Sequence, residues 1–276
     1  MAPKGTATVV GKLFVGLWLL FLTVGPAAAK CESAPFGEPS PPVQTIDVCH
    51  AGYLSIFDPS TKVTRAVTYR LTAAHTFGCL SRGNLKFKID DGAPAGDQGR
   101  ASDYSHTAYD LGHMAPNADF AWSDAQQRDT FSMLNVAPQV HKLNQQGWER
   151  GEETVRAWAF QRGEVVVFVG PIFAKDMGKI GTHDVVVPSA FWKVVVDAKA
   201  GEAIAFEMEN VDTPKGSLEP FLKSVADVER DSDVVLPIPT KIDPEAAPVL
   251  WPADLKAWKD EKKRRCAVSQ RPVRQG

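Results

Sequence analysis

Tyr109-Asp110-Leu111-Gly112-His113-Met114-Ala115-Pro116-Asn117-Ala118-Asp119-Phe120 is the run in which this chain concentrates its chemistry. Met133-Leu134-Asn135-Val136-Ala137-Pro138-Gln139 and Leu143-Asn144-Gln145-Gln146-Gly147-Trp148-Glu149-Arg150-Gly151-Glu152 follow it. These segments bring an imidazole, several Asn and Asp side chains and a Glu together in mid-chain. Such an inventory suits a hard metal ion with an imidazole base beside it. Gly112 permits a close backbone approach, and Pro116 disfavours a helix through His113, which places that residue on a loop or a strand end. His50, His75, His106, His141 and His183 lack this company and read as structural.

Asn144, Trp148, Glu152 and Arg156 stand four residues apart. On an α-helix each step turns about 40°, so neighbours in the series share a face while its ends diverge. A helix starting near Asn144 presents an amide oxygen in its first turn and a carboxylate in its third. Glu152 and Arg156 form an acid-before-base i,i+4 pair, which taken alone reads as an ordinary surface ion pair with Trp148 in the core.

Outward from this centre, Val48–Phe57 and Val63–Thr72 read as a hairpin turned at Asp58-Pro59-Ser60. Residues 83–104 read as a long loop rich in Asp and Gly. Ser123–Leu134 and Gly147–Gln161 have helical composition, the second stopped by Gly163. Glu164–Pro171 is a short continuous apolar run, as in a central strand. Asp184–Val187 and Phe191–Asp197 are further strands, the latter turning at Ala198–Gly201 into Glu202–Met208. Leu218–Val228 and Pro252–Arg265 look helical. Arg264, Arg265 and Arg271 make the tail basic, which reads as a solvated surface. Strands and helices mix without regular alternation, so the fold expected is α+β, an antiparallel sheet core with packed helices.

The first 29 residues have the order of an export signal: Lys4 and Lys12, an apolar run from Leu13 to Val24, then Gly25-Pro26-Ala27-Ala28-Ala29. Cleavage after Ala29 is favoured over a membrane anchor, because a span needs ~20 apolar residues and Pro26 breaks the run early. Residues 30–276 then form one domain, with a core at about 46–265, in a secreted or periplasmic protein. Residues 1–29 hold two basic residues and no acidic one, so the remainder carries a formal charge of −4. That balance speaks against a protein that coats nucleic acid, though not against an enzyme that touches a few phosphates. Export favours two disulfides among Cys31, Cys49, Cys79 and Cys266, for which three pairings exist. Cys31–Cys49, closing the Pro-rich N-terminal arm, with Cys79–Cys266 tying down the tail, is preferred.

The blocks Asp110-Leu111-Gly112-His113, Asn135-x-Ala-Pro-Gln and Leu143-Asn-x-x-x-Trp-x-x-x-Glu resemble the DNA/RNA non-specific endonucleases, the sugar-non-specific ββα-metal nucleases. The resemblance runs from about Cys49 to about Asn210 and takes in Val187–Lys193. It implies a secreted, metal-dependent endonuclease acting on DNA and RNA with 5′-phosphorylated products. His113 would be the general base and Asn144 the one side chain that ligates Mg²⁺, with Mn²⁺ as an alternative. Glu152 would hold water beside that cation, Asn135 would support the His113 loop, and Asp110 would fix the signature turn. Arg156 would contact phosphate, as would Arg82, whose spacing is off by one. An inhibitor protein is a further partner class without a mark in the sequence.

Leu111 departs from the family pattern, which has Arg there. Either Arg82, Arg100, Arg156 or a Lys supplies the cation, or activity is weakened, or the fold binds nucleic acid without turnover. With His113, Asn144 and Glu152 all present, an active enzyme is the expectation. A zinc hydrolase is disfavoured, because His106 and His141 lack helical ligand spacing relative to His113.

Overall fold

The computed structural model describes residues 31–269 together with Met1 and Gly5. The expected export signal and Arg271 otherwise lie outside the described residues. The strands are β1 (Ile46–Cys49), β2 (Leu54–Asp58), β3 (Val63–Thr72), β4 (Tyr109–His113), β5 (Val136–Val140), β6 (Glu164–Ile172), β7 (Lys179–Ile180), β8 (Val185–Val186), β9 (Ala190–Asp197), β10 (Glu202–Glu209) and β11 (Leu222–Lys223). The α-helices are α1 (Asp124–Asp129), α2 (Glu149–Arg162), α3 (Val225–Ser232) and α4 (Leu255–Ser269).

Seven strands form one antiparallel sheet in the order β1-β2-β3-β6-β9-β10-β11, and β4-β5 and β7-β8 are separate two-stranded ladders. The α+β architecture expected from the sequence is the one found. The run Val165–Val169 is apolar throughout because β6 is the middle strand and both faces of the sheet are covered. Val165, Val167 and Val169 face one way, into a cluster with Trp148, Val155 and Trp158. Val166 and Phe168 face the other, into a cluster with Val225, Val228, Cys31 and Ala34. The period-2 alternation of a strand thus feeds two cores. The β4-β5 hairpin and α2 lie over the first face, α3 and the N-terminal arm over the second.

Several boundaries differ from the sequence reading. Val48–Phe57 is two strands, because the chain turns at Ala51-Gly52 and passes so near Phe120 that a Cβ on Gly52 would lie 2.6 Å from its ring. The helix expected over Ser123–Leu134 keeps its Ser123 cap but ends at Asp129, after which Phe131, Met133 and Leu134 turn inward and are buried. Leu218–Val228 is not one helix. Pro220 restricts Glu219, so a short 3₁₀ turn Glu219–Phe221 and β11 come first, and α3 starts after Ser224 with a reciprocal cap to Asp227. Residues 83–104 form a long connection with two 3₁₀ turns, Ala95–Asp97 and Ala101–Tyr104. The side chain of Gln98 organises it, donating to the carbonyls of Asp90 and Ala93 and accepting from Asp90 N–H.

Both preferred disulfides are present, Cys31–Cys49 and Cys79–Cys266. The second spans a sequence separation of 187 and fastens α4 beside Phe77, where Trp258 is buried with Phe77 and Ala157. Closing so long a loop restricts the unfolded chain strongly. The double variant Cys79→Ser/Cys266→Ser is expected to lose about 2–5 kcal/mol in denaturant unfolding; an unchanged midpoint would contradict this role.

Candidate active site

β4 and β5 pair antiparallel, with Asp110 opposite Gln139, Gly112 opposite Ala137 and His113 opposite Val136. Gly112 is required here: a Cβ would lie 2.4 Å from Oε1 of Gln139 and 2.7 Å from its Cβ. After β5 the chain enters a π-helical turn, Leu143–Trp148, that runs straight into α2. Such i→i+5 turns are rare and recur at functional sites. The turn is anchored by Gly147, whose N–H donates to the Thr213 carbonyl and whose missing Cβ would meet Thr213 Cγ2 at 2.6 Å. The helix expected to begin near Asn144 is thus already helical from His141 and widens into a π-helical turn through Asn144 before α2, which changes where Asn144 stands relative to Glu152.

Asp110 and Asn144 are brought together by this hairpin-and-helix unit. Asn144 Nδ2 donates to Asp110 Oδ2 at 2.8 Å. Gln145 Nε2 lies at 3.3 Å and His141 Nδ1 at 3.0 Å from the same oxygen. Burial alone would raise the Asp110 carboxyl, but the hydrogen bonds from Asn144, His141 and Gln145 outweigh it and hold the pKa below the usual range. A carboxylate facing the amide fixes its orientation, since the reverse would set oxygen against oxygen. Asn144 Oδ1 is thereby the amide atom turned away from Asp110, and the one that could face a cation.

His113 sits at the end of β4 with its ring 4.7 Å from Phe87 and 5.0 Å, edge-on, from Phe131. Its Nε2 is buried without a protein partner. Burial, helped by the nearby Arg82 guanidinium, pushes its pKa down to about 3. The ring is therefore neutral over the whole physiological range. Asn135, fully buried, holds the loop behind it. Its Oδ1 accepts from Ala115 N–H at 2.8 Å, and its Nδ2 donates to the carbonyls of Ala115 and Thr130.

Arg156 departs from the expected phosphate contact. Its side chain is 5% exposed, and Nη1 donates to Asp119 Oδ1 at 2.7 Å. Asp119 Oδ2 in turn accepts from Tyr69 Oη at 2.8 Å. Trp258 of α4 covers the guanidinium at 5.5 Å. Glu152 lies 4.0 Å from Arg156, and burial pushes its carboxyl up to about 7 against the pull of Lys193 and Arg156. Lys193, from β9, is fully buried with Nζ 4.7 Å over the Trp148 ring. The i,i+4 pair read as a surface bridge is part of a buried charge cluster.

A cleft of about 570 Å³ opens beside Asp110 and Asn144, and Arg82, Lys86, Phe87 and Leu111 contribute to its walls. Arg82 and Lys86 bring cations close to Leu111, whereas Arg100 is occupied by the carbonyls of Ala95, Gln98 and Gly99. Sequence reasoning did not single out Asp119, Lys193, Gln139 or Asn210. Asp119, Gln139 and Lys193 lay within the quoted blocks, so a signal existed. Asn210 accepts from Val140 N–H and donates to the carbonyls of Pro138 and Pro188; nothing near it in sequence marks it.

No group of three or more His, Cys, Asp or Glu side chains among the described residues is arranged to hold a metal. One oriented amide oxygen beside a carboxylate instead suits a hard cation that keeps most of its water. A β-hairpin and helix around such a donor, laid on an antiparallel sheet, define a ββα-metal site. Residues 32–238 match the DNA/RNA non-specific endonuclease family, and the chain belongs to it. It is 32% identical over 199 residues to mitochondrial endonuclease G of Bos taurus, covering 67% of each chain. Mitochondrial nuclease EXOG of Danio rerio is 27% identical over 202 residues, which take in 67% of this chain and 59% of that one. The solved "EndoG/EndoGI complex: Mechanism of EndoG inhibition" superposes with a TM-score of 0.68 at 25% identity, over 74% of this chain and 89% of that chain. The chain is thus a member of a family of metal-dependent nucleic-acid hydrolases.

Two of the shifted groups, His113 and Glu152, give opposite pH dependences to the metal-free protein. His113 is depressed, so its contribution is present above about 6.5 and is lost as pH falls towards about 3. Glu152 is raised, so its contribution is present below about 4.5 and is lost as pH rises through about 7. Glu152→Gln removes only the second. Stability of the metal-free variant is therefore expected to climb more steeply between about pH 4.5 and 7 than that of wild type, read from thermal melts; parallel curves would contradict the shift.

Proposed function

We propose that this protein is an exported endonuclease that hydrolyses phosphodiester bonds of DNA and RNA with Mg²⁺, or Mn²⁺ in its place, leaving 5′-phosphorylated products. The observation that carries the reading is the Asp110–Asn144 hydrogen bond beside a cation-lined cleft. A bound divalent cation supplies charge to stabilise the crowded phosphate and the departing 3′-oxygen. The protein side chains do the rest. Asn144 offers Oδ1 to the cation and Asp110 holds that amide in place. His113, neutral and clamped by two rings, accepts the proton of the attacking water, with Asn135 fixing its loop. An anionic phosphate against Arg82 offsets one of the two influences that depress His113, which makes it a better base when substrate is bound.

Glu152 orients water beside the cation, and Lys193 and Arg156 favour its ionised form. Arg156 acts by supporting Glu152, and Arg82 is the phosphate contact. Contacts fall on phosphate and sugar, which gives little sequence preference. The alternative, a weak or inactive nucleic-acid-binding member, rests on Leu111 alone; Arg82 and Lys86 at the same cleft favour activity. The two disulfides support an oxidising compartment, hence cleavage after Ala29 and export. The inhibition complex of the solved neighbour supports an inhibitor protein as a partner class.

Mg²⁺-dependent digestion of plasmid DNA and of RNA tests the reading. Wild type is expected to cleave both, excess EDTA to stop it, and His113→Ala and Asn144→Ala each to lower the rate by about 10²-fold or more. Undiminished cleavage in EDTA would sink the metal claim, and full activity of His113→Ala would sink the assigned base.

A further inference from the structure

The last helix holds to the body at few points. Among the described side chains of α4, only Trp258 is fully buried; Leu255, Glu261, Lys262 and Cys266 are half-buried and the rest are exposed. An isolated helix of this length is marginal in water, so α4 owes its position to its anchors. Trp258 packs with Phe77 and Ala157, and Lys259 Nζ reaches Glu153 at 2.7 Å. Further along, the Arg265 guanidinium lies 4.2 Å over the Phe77 ring, and Cys266 is bridged to Cys79. An opposing force acts at the same place. The Trp258 ring has Arg156 at 5.5 Å and Lys262 Nζ at 5.8 Å, and burial together with the Arg156 charge lowers the Lys262 pKa. A helix that carries a cation towards a buried cation needs a restraint, and the bridge supplies one.

The two bridges differ in how readily a thiolate opens them. Cys79 is exposed and Cys266 half-buried. Attack on Cys79 Sγ expels Cys266 as a thiolate, one residue after Arg265 and one turn after Lys262, and neighbouring cations favour a thiolate leaving group. In the other bridge Cys31 is buried and Cys49 is exposed. Attack on Cys49 expels Cys31 into the apolar cluster of Phe168, Val225 and Val228, where a thiolate is disfavoured. A dithiol therefore reduces Cys79–Cys266 first. Its first sulfur forms a mixed disulfide with Cys79, Cys266 leaves and takes a proton, and its second sulfur then displaces Cys79. The dithiol ends as a disulfide and both cysteines as thiols, a transfer of two electrons.

We propose that Cys79–Cys266 is a redox-sensitive fastening of α4: its reduction by a dithiol lifts Trp258 from Arg156 and lowers turnover at the active site. The inference rests on the nuclease reading above. With Trp258 away, water reaches the Arg156–Asp119 pair and screens the pull of Arg156 on Glu152, 4.0 Å distant. The acid that orients water beside the cation then loses one of its two cationic supports. The cleft wall is spared. Leu80 N–H donates to the Ala121 carbonyl and Gln127 Nε2 to that of Leu80, which holds the segment leading to Arg82 without the bridge. Turnover, not substrate binding, is the quantity that changes.

Equilibration of the protein with graded ratios of reduced to oxidised dithiothreitol tests this, with alkylation and mass spectrometry reporting which cysteines are open. Cys79 and Cys266 are expected to be labelled before Cys31 and Cys49, and trypsin then to cut within α4. At that poise kcat for Mg²⁺-dependent DNA cleavage is expected to fall about tenfold with KM unchanged, and reoxidation to restore it. Trp258→Ala with the bridge closed is expected to show the same loss of kcat, whereas Trp258→Phe, which keeps a ring over Arg156, retains it; thermal melts confirm that both variants are folded. Unchanged kcat once trypsin cuts the reduced α4 overturns the link to the site and leaves the nuclease reading standing. A bridge that resists reduction until the protein melts, or an α4 that stays trypsin-resistant once reduced, overturns the fastening. Full activity of Trp258→Ala overturns the part given to the indole. Absence of DNA and RNA cleavage in either redox state overturns the nuclease reading, and with it the effect on turnover.

Discussion

The hydrogen bond from Asn144 to Asp110 joins the two halves of the site, and much of the surrounding structure serves to make it possible. Asp110 is held by β4, and β4 is held by β5 at a distance that only Gly112 allows. Asn144 is held by a π-helical turn, and that turn keeps its place because Gly147 packs against Thr213. Asn210, by accepting from Val140 and donating to Pro138 and Pro188, ties β5 to the segments that follow β8 and β10. As the proposed ligand, a single amide would be weak, so its value would depend on being pre-oriented. The carboxylate of Asp110 provides that orientation without itself being displaced by a shift in pH near neutrality, because its neighbours hold it ionised.

Behind the site lies a second constraint, the cluster of Glu152, Arg156, Asp119 and Lys193. Buried charges of this kind rarely add net stability, since desolvation offsets their attraction. What they do here is set the state of Glu152. Burial alone would keep its carboxyl protonated; Lys193 and Arg156 pull it back to about 7. Two cations on different elements, β9 and α2, thus converge on one acid. The central sheet thus supplies one of the two cations that face Glu152, Lys193 of β9. α4 closes the cluster from outside through Trp258, fastened by Cys79–Cys266.

The broad fold was legible because β6 is apolar without interruption and the flanking hairpins carry clear turns. Helix limits were less so: Pro220 and the inward turn at Phe131 act through local restriction and burial that composition does not show. In the site, His113, Asn144 and Asp110 were visible from the company they keep. The pKa of His113 was not, because Phe87 and Phe131 reach it from segments 26 residues before and 18 residues after it. Arg156 was misread for a related reason. Its partner Asp119 comes from another segment, and its cover, Trp258, from the far end of the chain. Leu111, a single departure in sequence, becomes intelligible only as part of a cleft whose other walls come from residues 82–87.

Divalent-cation binding measured by calorimetry tests the central claim most directly, because it needs no substrate and no turnover. The arrangement predicts one Mg²⁺ or Mn²⁺ site per chain in wild type, lost in Asn144→Ala and weakened in Asp110→Ala, where the amide is present but no longer held. Cation binding that persists unchanged in Asn144→Ala would contradict it.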